Sequence, residues 1–289
     1  MQPQFVKMIV FKHIHDLQNY VRSAKAAGSK TGFVPTMGAL HQGHLSLIAA
    51  SKKENDLTVC SVFVNPTQFN DPEDFKKYPV TIEKDMALLV QAGCDVLFLP
   101  QVQEMYPNGL EEQSPFRFGD LETVLEGHYR PGHFDGVGII VYKLLKAAEP
   151  DNIYMGSKDF QQCMIVKSMI AQAALPVTLH ICPTLREPDG LAMSSRNTRL
   201  TPGDRQKATE LYAAIRYIKD NQHRERFNTL RNIGHQQLTD AGFTVDYLAL
   251  ANAGTLELMQ EFDQSQPMQV LVAAAINGVR LIDNLPLNW

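Results

Sequence analysis

Apolar residues recur along this chain in two alternating patterns: short, near-continuous runs, and longer stretches in which they return every three or four positions. Residues 31–34, 57–64, 96–99, 152–155 and 177–181 are of the first kind. Runs that short, rich in β-branched and aromatic residues and with little polar alternation, predict strands buried on both faces. Helical spacing lies between them. Residues 15–27 place Leu17, Tyr20, Val21 and Ala24 on one face, with Gly28 as the stop. Further helices are predicted from the 41–44 region to about 54, over 82–92 with Gly93 as the stop, over 137–148, and from the 156–159 turn to about 174. Strands alternating with helices predict an α/β parallel sheet with helices on both faces and right-handed crossovers, which binds ligands at the carboxyl ends of its strands.

The alternation stops near Cys182. Residues 183–202 are rich in turn formers, two helices follow (203–221 and 229–241), and strand-like runs close the chain (245–250, 268–275 and 279–283). Helices followed by strands predict a smaller α+β domain. The expected division is 1–183, carrying the main site, and 184–289, closing over it. Residues 101–135 read as irregular, punctuated by Gly and Pro.

Composition narrows the class. The 289 residues are 44% hydrophobic and 20% charged, enough to bury a full core, and no apolar run reaches the ~18 to 20 residues of a membrane span. Met1-Gln2-Pro3-Gln4-Phe5 has no basic segment leading into an apolar one, so no secretory leader is expected. Cys60, Cys94, Cys163 and Cys182 are far apart and in apolar contexts, which suits free thiols in a reducing, cytoplasmic compartment. A net charge of −4 gives no footprint for nucleic acid. An anionic substrate must therefore be met by local cations.

Candidate chemistry clusters at the predicted strand ends. In Phe33-Val34-Pro35-Thr36-Met37-Gly38-Ala39-Leu40-His41-Gln42-Gly43-His44 a strand stops at a proline, a glycine-punctuated loop follows, and a helix begins with two histidines three residues apart. Backbone N–H groups and a helix N-terminus there suit an anion. Three readings stand side by side: a plain helix start, a metal site lacking its further ligands, and a phosphate cradle whose imidazoles donate to developing charge. Asn65 and Gln68 follow the 57–64 strand, and Gly156-Ser157-Lys158-Asp159 turns into a helix carrying Gln161 and Gln162. Met193-Ser194-Ser195-Arg196 offers hydroxyls and a guanidinium fork suited to a polyphosphate. Alone, each of these segments is also an ordinary loop. Arg130-Pro131-Gly132-His133 reads as a turn, and Asp85 as a residue on a helix face.

Taken together, Pro35 to His44, Val64-Asn65-Pro66-Thr67-Gln68-Phe69, Gly127-His128-Tyr129-Arg130-Pro131-Gly132-His133-Phe134, residues 156–162 and residues 186–197 resemble the signatures of the pantothenate synthetase (pantoate–β-alanine ligase) family, within the HIGH-motif nucleotidyltransferase superfamily. The resemblance spans about residues 30–200. It implies a Rossmann-like fold, a homodimer, and the condensation of pantoate with β-alanine driven by ATP, with Mg²⁺, through an enzyme-bound pantoyl adenylate that releases AMP and diphosphate. It further implies that Met37, Gly38, Ala39, Leu40, His41, Gln42, Gly43 and His44 line the ATP. Gly156, Ser157, Lys158, Asp159, Leu185, Met193, Ser194, Ser195 and Arg196 would touch the same nucleotide. His44 would take the active-site proton-donor role, with His41, Lys158 and Arg196 as further catalytic groups. Gln68, Gln162 and Asn65 would hold pantoate, Gln68 would also meet β-alanine, and Asp85 would approach the metal.

Four positions depart from the family pattern: Ser157 stands where Glu is common, Val80 where Arg is, Leu185 where Val is and Arg199 where Tyr is. None removes a catalytic group. Other classes stay open on the residues alone: an adenylyltransferase that stops at the nucleotide adduct, a metal-dependent hydrolase using His41 and His44, and a nucleotide sensor without turnover.

Overall fold

The computed structural model describes residues 8–69 and 72–287, so the leader reading at Met1–Phe5 lies outside it. Leu57–Val62 (β3) is buried at all six positions, as its β-branched composition demands. It lies at the centre of a parallel sheet with Ile9–Phe11 (β1), Thr31–Thr36 (β2), Val96–Phe98 (β4), Asn152–Gly156 (β5) and Thr178–Cys182 (β6), in the order β1-β4-β3-β2-β5-β6. Successive strand residues alternate between the two faces. Phe33, Val59, Val96 and Ile153 join the core beneath the helices Ile14–Ala26, His133–Ala148 and Phe160–Gln172. Val34, Cys60, Leu97 and Tyr154 join a second core with the helices Gln42–Glu54 and Ile82–Gln91.

The strand order turns back on itself at β2: β3 and β4 lie on one side of it, β5 and β6 on the other. β2 pairs with β5 only at Gly32↔Asn152 and Phe33↔Ile153. Beyond those residues β2 continues along β3 as far as Thr36↔Val62, and β5 continues along β6 as far as Gly156↔Cys182. The two strands therefore part above Phe33 and leave a crevice between their carboxyl ends, the usual ligand position in such sheets. Pro35 is tolerated inside β2 because no β5 partner lies opposite it there.

A second, antiparallel sheet has the order β10-β9-β7-β8, from Thr244–Asn252 (β7), Leu258–Met259 (β8), Met268–Ile276 (β9) and Val279–Leu287 (β10). The helices Glu210–Asn221 and Phe227–Asp240 cover it through Leu211, Ile215, Ile218, Phe227 and Leu230. The two sheets share a small apolar cluster in which Leu125 and Met164 meet Ala251 and Leu271. No helix among the described residues is long and apolar enough to cross a membrane.

The expected α/β sheet and smaller α+β sheet are both present, with different details. β1 was not expected; its three residues are too few to show a period, and the parallel pairing Ile9↔Val96 defines it. The helix predicted over 203–221 is two, Pro202–Lys207 and Glu210–Asn221. Thr201 caps the first by accepting from the Asp204 N–H. The irregular stretch 101–135 contains the single turns Val102–Met105 and Glu126–Tyr129.

Candidate active site

The crevice between β2 and β5 opens into a cavity of about 200 Å³. Its wall on the β2 side is built by the loop after Thr36. Gly38 has φ +82, which favours glycine, and Ala39 also lies at positive φ. The loop is held in this shape by Asp85, which is buried. Its Oδ2 accepts from the Ala39 N–H (2.9 Å) and its Oδ1 from the Leu40 N–H (2.8 Å) and the Thr81 hydroxyl (3.1 Å). The carboxylate expected to approach a metal is thus turned into the loop and does not line the cavity. Leu40 is buried in the core, and neither Ala39 nor Gln42 lines the cavity either.

His41 and His44 cap the helix Gln42–Glu54 reciprocally. His41 Nδ1 accepts from the Gly43 N–H (3.1 Å), and His44 Nδ1 accepts from the His41 N–H (3.3 Å). An accepting Nδ1 carries no proton, so each neutral ring keeps its hydrogen on Nε2. Burial, Lys158 and, for His44, the neighbouring His41 push their pKa values down, to about 4 for His41 and about 3 for His44. The ring centroids are 4.0 Å apart. Gly43 is required by that packing, since a Cβ there would come within 2.9 Å of His41 Cε1 and Nδ1. Two neutral rings at a helix N-terminus therefore line the cavity, each with an Nε2–H to offer.

The opposite wall is the turn after β5. Gly156, Lys158 and Asp159 line the cavity, and a Cβ at Gly156 would meet nothing within 4 Å, leaving the backbone open to close approach. The Lys158 side chain is 16% exposed, with its Nζ 3.8 Å from Asp159 Oδ1. Ser157 does not line the cavity; its hydroxyl lies 3.0 Å from that of Thr184, which does. The roof is Leu185 with residues 193–196; the Ser194 Oγ accepts from the Arg196 N–H (3.2 Å) and Ser195 Oγ lies 3.4 Å from the Tyr78 hydroxyl.

Beneath the cradle, the pantoate-type residues separate into two roles. Gln68 lines the cavity; among the described residues its amide N–H₂ meets only the Met37 sulfur (2.9 Å), a weak acceptor that a ligand oxygen would displace. Gln162 lines the cavity without a side-chain hydrogen bond among the described residues. Gln161 faces the other way, donating to Leu121 O and Val124 O. Asn65, expected to bind substrate, is already committed. Its Nδ2 donates to Gln68 Oε1 (3.3 Å) and Gly136 O (3.2 Å), and its Oδ1 accepts from the Tyr106 (2.7 Å) and Thr67 (3.2 Å) hydroxyls. Asn65 lines the cavity as well and holds the Gln68 amide through that first bond. His133 supports the same residue from below, Nδ1–H donating to Gln68 O (2.7 Å) while Arg130 donates to Nε2 (3.1 Å). Burial and Arg130 push its pKa down to about 4. Phe63, Val137, Ile140, Val141 and Leu144 give the cavity an apolar floor.

Lys158, Gln68, Gln162 and the 193–196 roof therefore meet at one crevice, together with His41 and His44. Tyr106, Tyr78, Thr184 and the apolar floor were missed. Tyr106 lay inside a stretch without period, and nothing in a lone tyrosine or threonine announces which loop it supports.

Geometry of this kind defines a class first: an α/β protein with a phosphate-type anion cradle at the switch point of a parallel sheet. Comparison with known proteins gives the family. The sequence profile of the pantoate–β-alanine ligases matches residues 9–286, and the chain belongs to that family. It is 42% identical over 281 residues to the pantothenate synthetase of Cytophaga hutchinsonii, covering 96% of this chain and 99% of that one. Among solved structures, pantothenate synthetase from Thermus thermophilus superposes with a TM-score of 0.89 at 38% identity, covering 98% of this chain and 100% of that one. The pantoate–β-alanine ligase of Francisella tularensis, complexed with β,γ-ATP and β-alanine, superposes at 0.82 and 36%, covering 97% and 98%.

Proposed function

We propose that the crevice activates pantoate with ATP and transfers the pantoyl group to β-alanine, giving pantothenate, AMP and diphosphate. The observation that carries this reading is the pairing of two neutral imidazole donors on one wall with a half-buried lysine on the other, above two glutamine amides and an apolar floor. Pantoate has the matching halves: a carboxylate and hydroxyls for Gln68 and Gln162, and a dimethyl carbon for Val137 and Ile140. A carboxylate oxygen attacks the α-phosphorus, the bond to the bridging oxygen breaks, and diphosphate leaves. The amine of β-alanine then attacks the acyl carbon, the carbon–oxygen bond to AMP breaks, and the amine loses a proton. His41 and His44 donate through Nε2–H to phosphate oxygens as charge builds, which accelerates the step instead of merely holding the substrate. Lys158 and Arg196 offset the joint negative charge of pantoate and triphosphate.

Mg²⁺ is implied by the family likeness. It is commonly carried on nucleotide phosphates, keeps several waters and takes one or two carboxylates. Among the described residues no three His, Cys, Asp or Glu side chains are grouped as a metal site, while Asp159 lines the cavity. That donor set fits a substrate-borne ion held by Asp159, where it would neutralise phosphate charge. The division at 183/184, closure of the smaller domain over the adenylate and the roles given to single residues belong to the same proposal. A homodimer and a cytoplasmic location rest on the family likeness and the thiol pattern alone. Closure predicts that crystals with and without an ATP analogue differ in the angle between the two sheets; identical angles would remove it.

The deciding assay measures AMP release as a function of pantoate and β-alanine. Release that needs both acids, with one amide formed per AMP, is expected. AMP or diphosphate release without amide would assign an adenylyltransferase, and hydrolysis without ATP would assign the metal-hydrolase reading.

A further inference from the structure

Lys158 stands in a single 3-10 turn, Ser157–Asp159, and its flexible four-carbon stem must deliver a charge to one place. The turn is fixed from the second sheet. Asn284 on β10 is buried, and the two hydrogens of its Nδ2 donate to Ser157 O (2.9 Å) and Lys158 O (2.8 Å). Those carbonyls belong to the peptide planes on either side of the Lys158 Cα, so one amide sets both planes and with them the direction of the Lys158 side chain. The amide cannot flip, because its Oδ1 accepts from the buried Gln269 Nε2 (2.6 Å) on β9. Its own backbone is held in turn: the Asn284 N–H donates to Asp283 Oδ1 (2.8 Å), and Asp283 receives Arg186 through two bonds, at 2.6 and 2.9 Å. Asn284 does not line the main cavity.

We propose that Asn284, oriented by Gln269, is a positioning residue for Lys158, so that the second sheet acts in the adenylation step through a lysine it does not carry. This rests on the reading of Lys158 as a cation facing the reacting phosphates. A catalytic group displaced by about 1 Å commonly costs up to ~10²-fold in rate. Loss of the clamp should therefore lower the rate of chemistry more than the binding of ATP.

The test is a double-mutant cycle on single-turnover diphosphate release, with ATP affinity measured alongside. Asn284→Ala alone should slow adenylation by about tenfold or more and change the ATP Kd by less than about threefold. Lys158→Ala should also slow it, and adding Asn284→Ala to Lys158→Ala should cost less than about twofold more. A residue that merely stabilises the fold would lower the melting temperature and give multiplicative rate losses, and that result would overturn the proposal, as would a wild-type rate in Asn284→Ala. If Lys158→Ala itself reacts at the wild-type rate, the reading of Lys158 fails first. Should Asn284→Ala not fold, Gln269→Met frees the same amide to turn and carries the same cycle.

Discussion

Two atoms decide how the histidine pair works. Because each Nδ1 accepts a backbone N–H, the only hydrogen each ring can offer is on Nε2, and protonation would break a cap. Replacing His44 by Ala removes one donor to the developing charge and opens the cap of the helix. The adenylation rate should fall by ~10²–10³, the usual cost of one such donor; single-turnover measurement at the wild-type rate would remove His44 from the step. The pH dependence follows from the same burial. With His41 and His133 at about 4 and His44 at about 3, all three rings are neutral through the ordinary range, so kcat/KM for ATP should show no inflection near 6.5 that a Gln at position 44 abolishes. Stability behaves differently. Each folded pKa lies below the unfolded 6.5, so the unfolded chain takes up more protons as pH falls through that window. The contribution of these rings is complete above 6.5 and drains away towards about 4 for His41 and His133 and about 3 for His44. Urea midpoints at about pH 7 and about pH 5.5 should therefore converge in a His133→Gln variant relative to the parent.

At the scale of elements, the cradle loop was legible because its parts are local: a proline, glycines and a helix start announce themselves in sequence order. Its support was not. Asp85 is far from the loop in sequence and reads as one polar residue on a helix face, yet it satisfies two N–H groups of the turn that a ligand must meet. Asn65 was legible as a site residue, but its hydrogen-bond partners Tyr106 and Gly136 were not, since they come from distant elements. Asp85→Asn tests the loop directly. An amide can accept on one side only and would point N–H₂ at a backbone N–H, so a destabilisation of about 1–3 kcal/mol is expected, with slower adenylation from a loosened cradle. The Mg²⁺ concentration for half-maximal activity should stay within about twofold of the parent, since Asp85 is turned into the loop and does not line the cavity proposed to hold the phosphates. A large rise in that concentration with stability unchanged would return Asp85 to the metal.

The whole molecule is joined across its two sheets by buried charge, and this was the least legible level. Strand runs and helix faces gave the two layers, but the residues that tie them together are single polar side chains at wide separation. Glu126, in the turn Glu126–Tyr129, receives Arg280 from β10 through two bonds at 2.8 and 2.7 Å and accepts from the Tyr247 hydroxyl of β7 (2.8 Å). Arg280 also donates to Asp246 (2.7 Å). Burial alone would push the Glu126 carboxyl up, but Arg280, with Arg130 and Tyr247, more than offsets this and holds it below the usual range. The carboxylate is thus charged, 8% exposed, and dependent on a partner in the second sheet. Arg280→Met keeps the stem and removes the charge, leaving Glu126 buried with Arg130 at 3.7 Å as its nearest remaining cation. Breaking one partner of a buried pair costs about 3–5 kcal/mol, whereas replacing both by apolar groups of similar volume is often near neutral. Urea unfolding of Arg280→Met should show a loss of that order, and Glu126→Leu combined with Arg280→Met should recover most of it. If the double variant is as unstable as the sum of the singles, the cluster holds the sheets by its separate contacts and not by the charge pair.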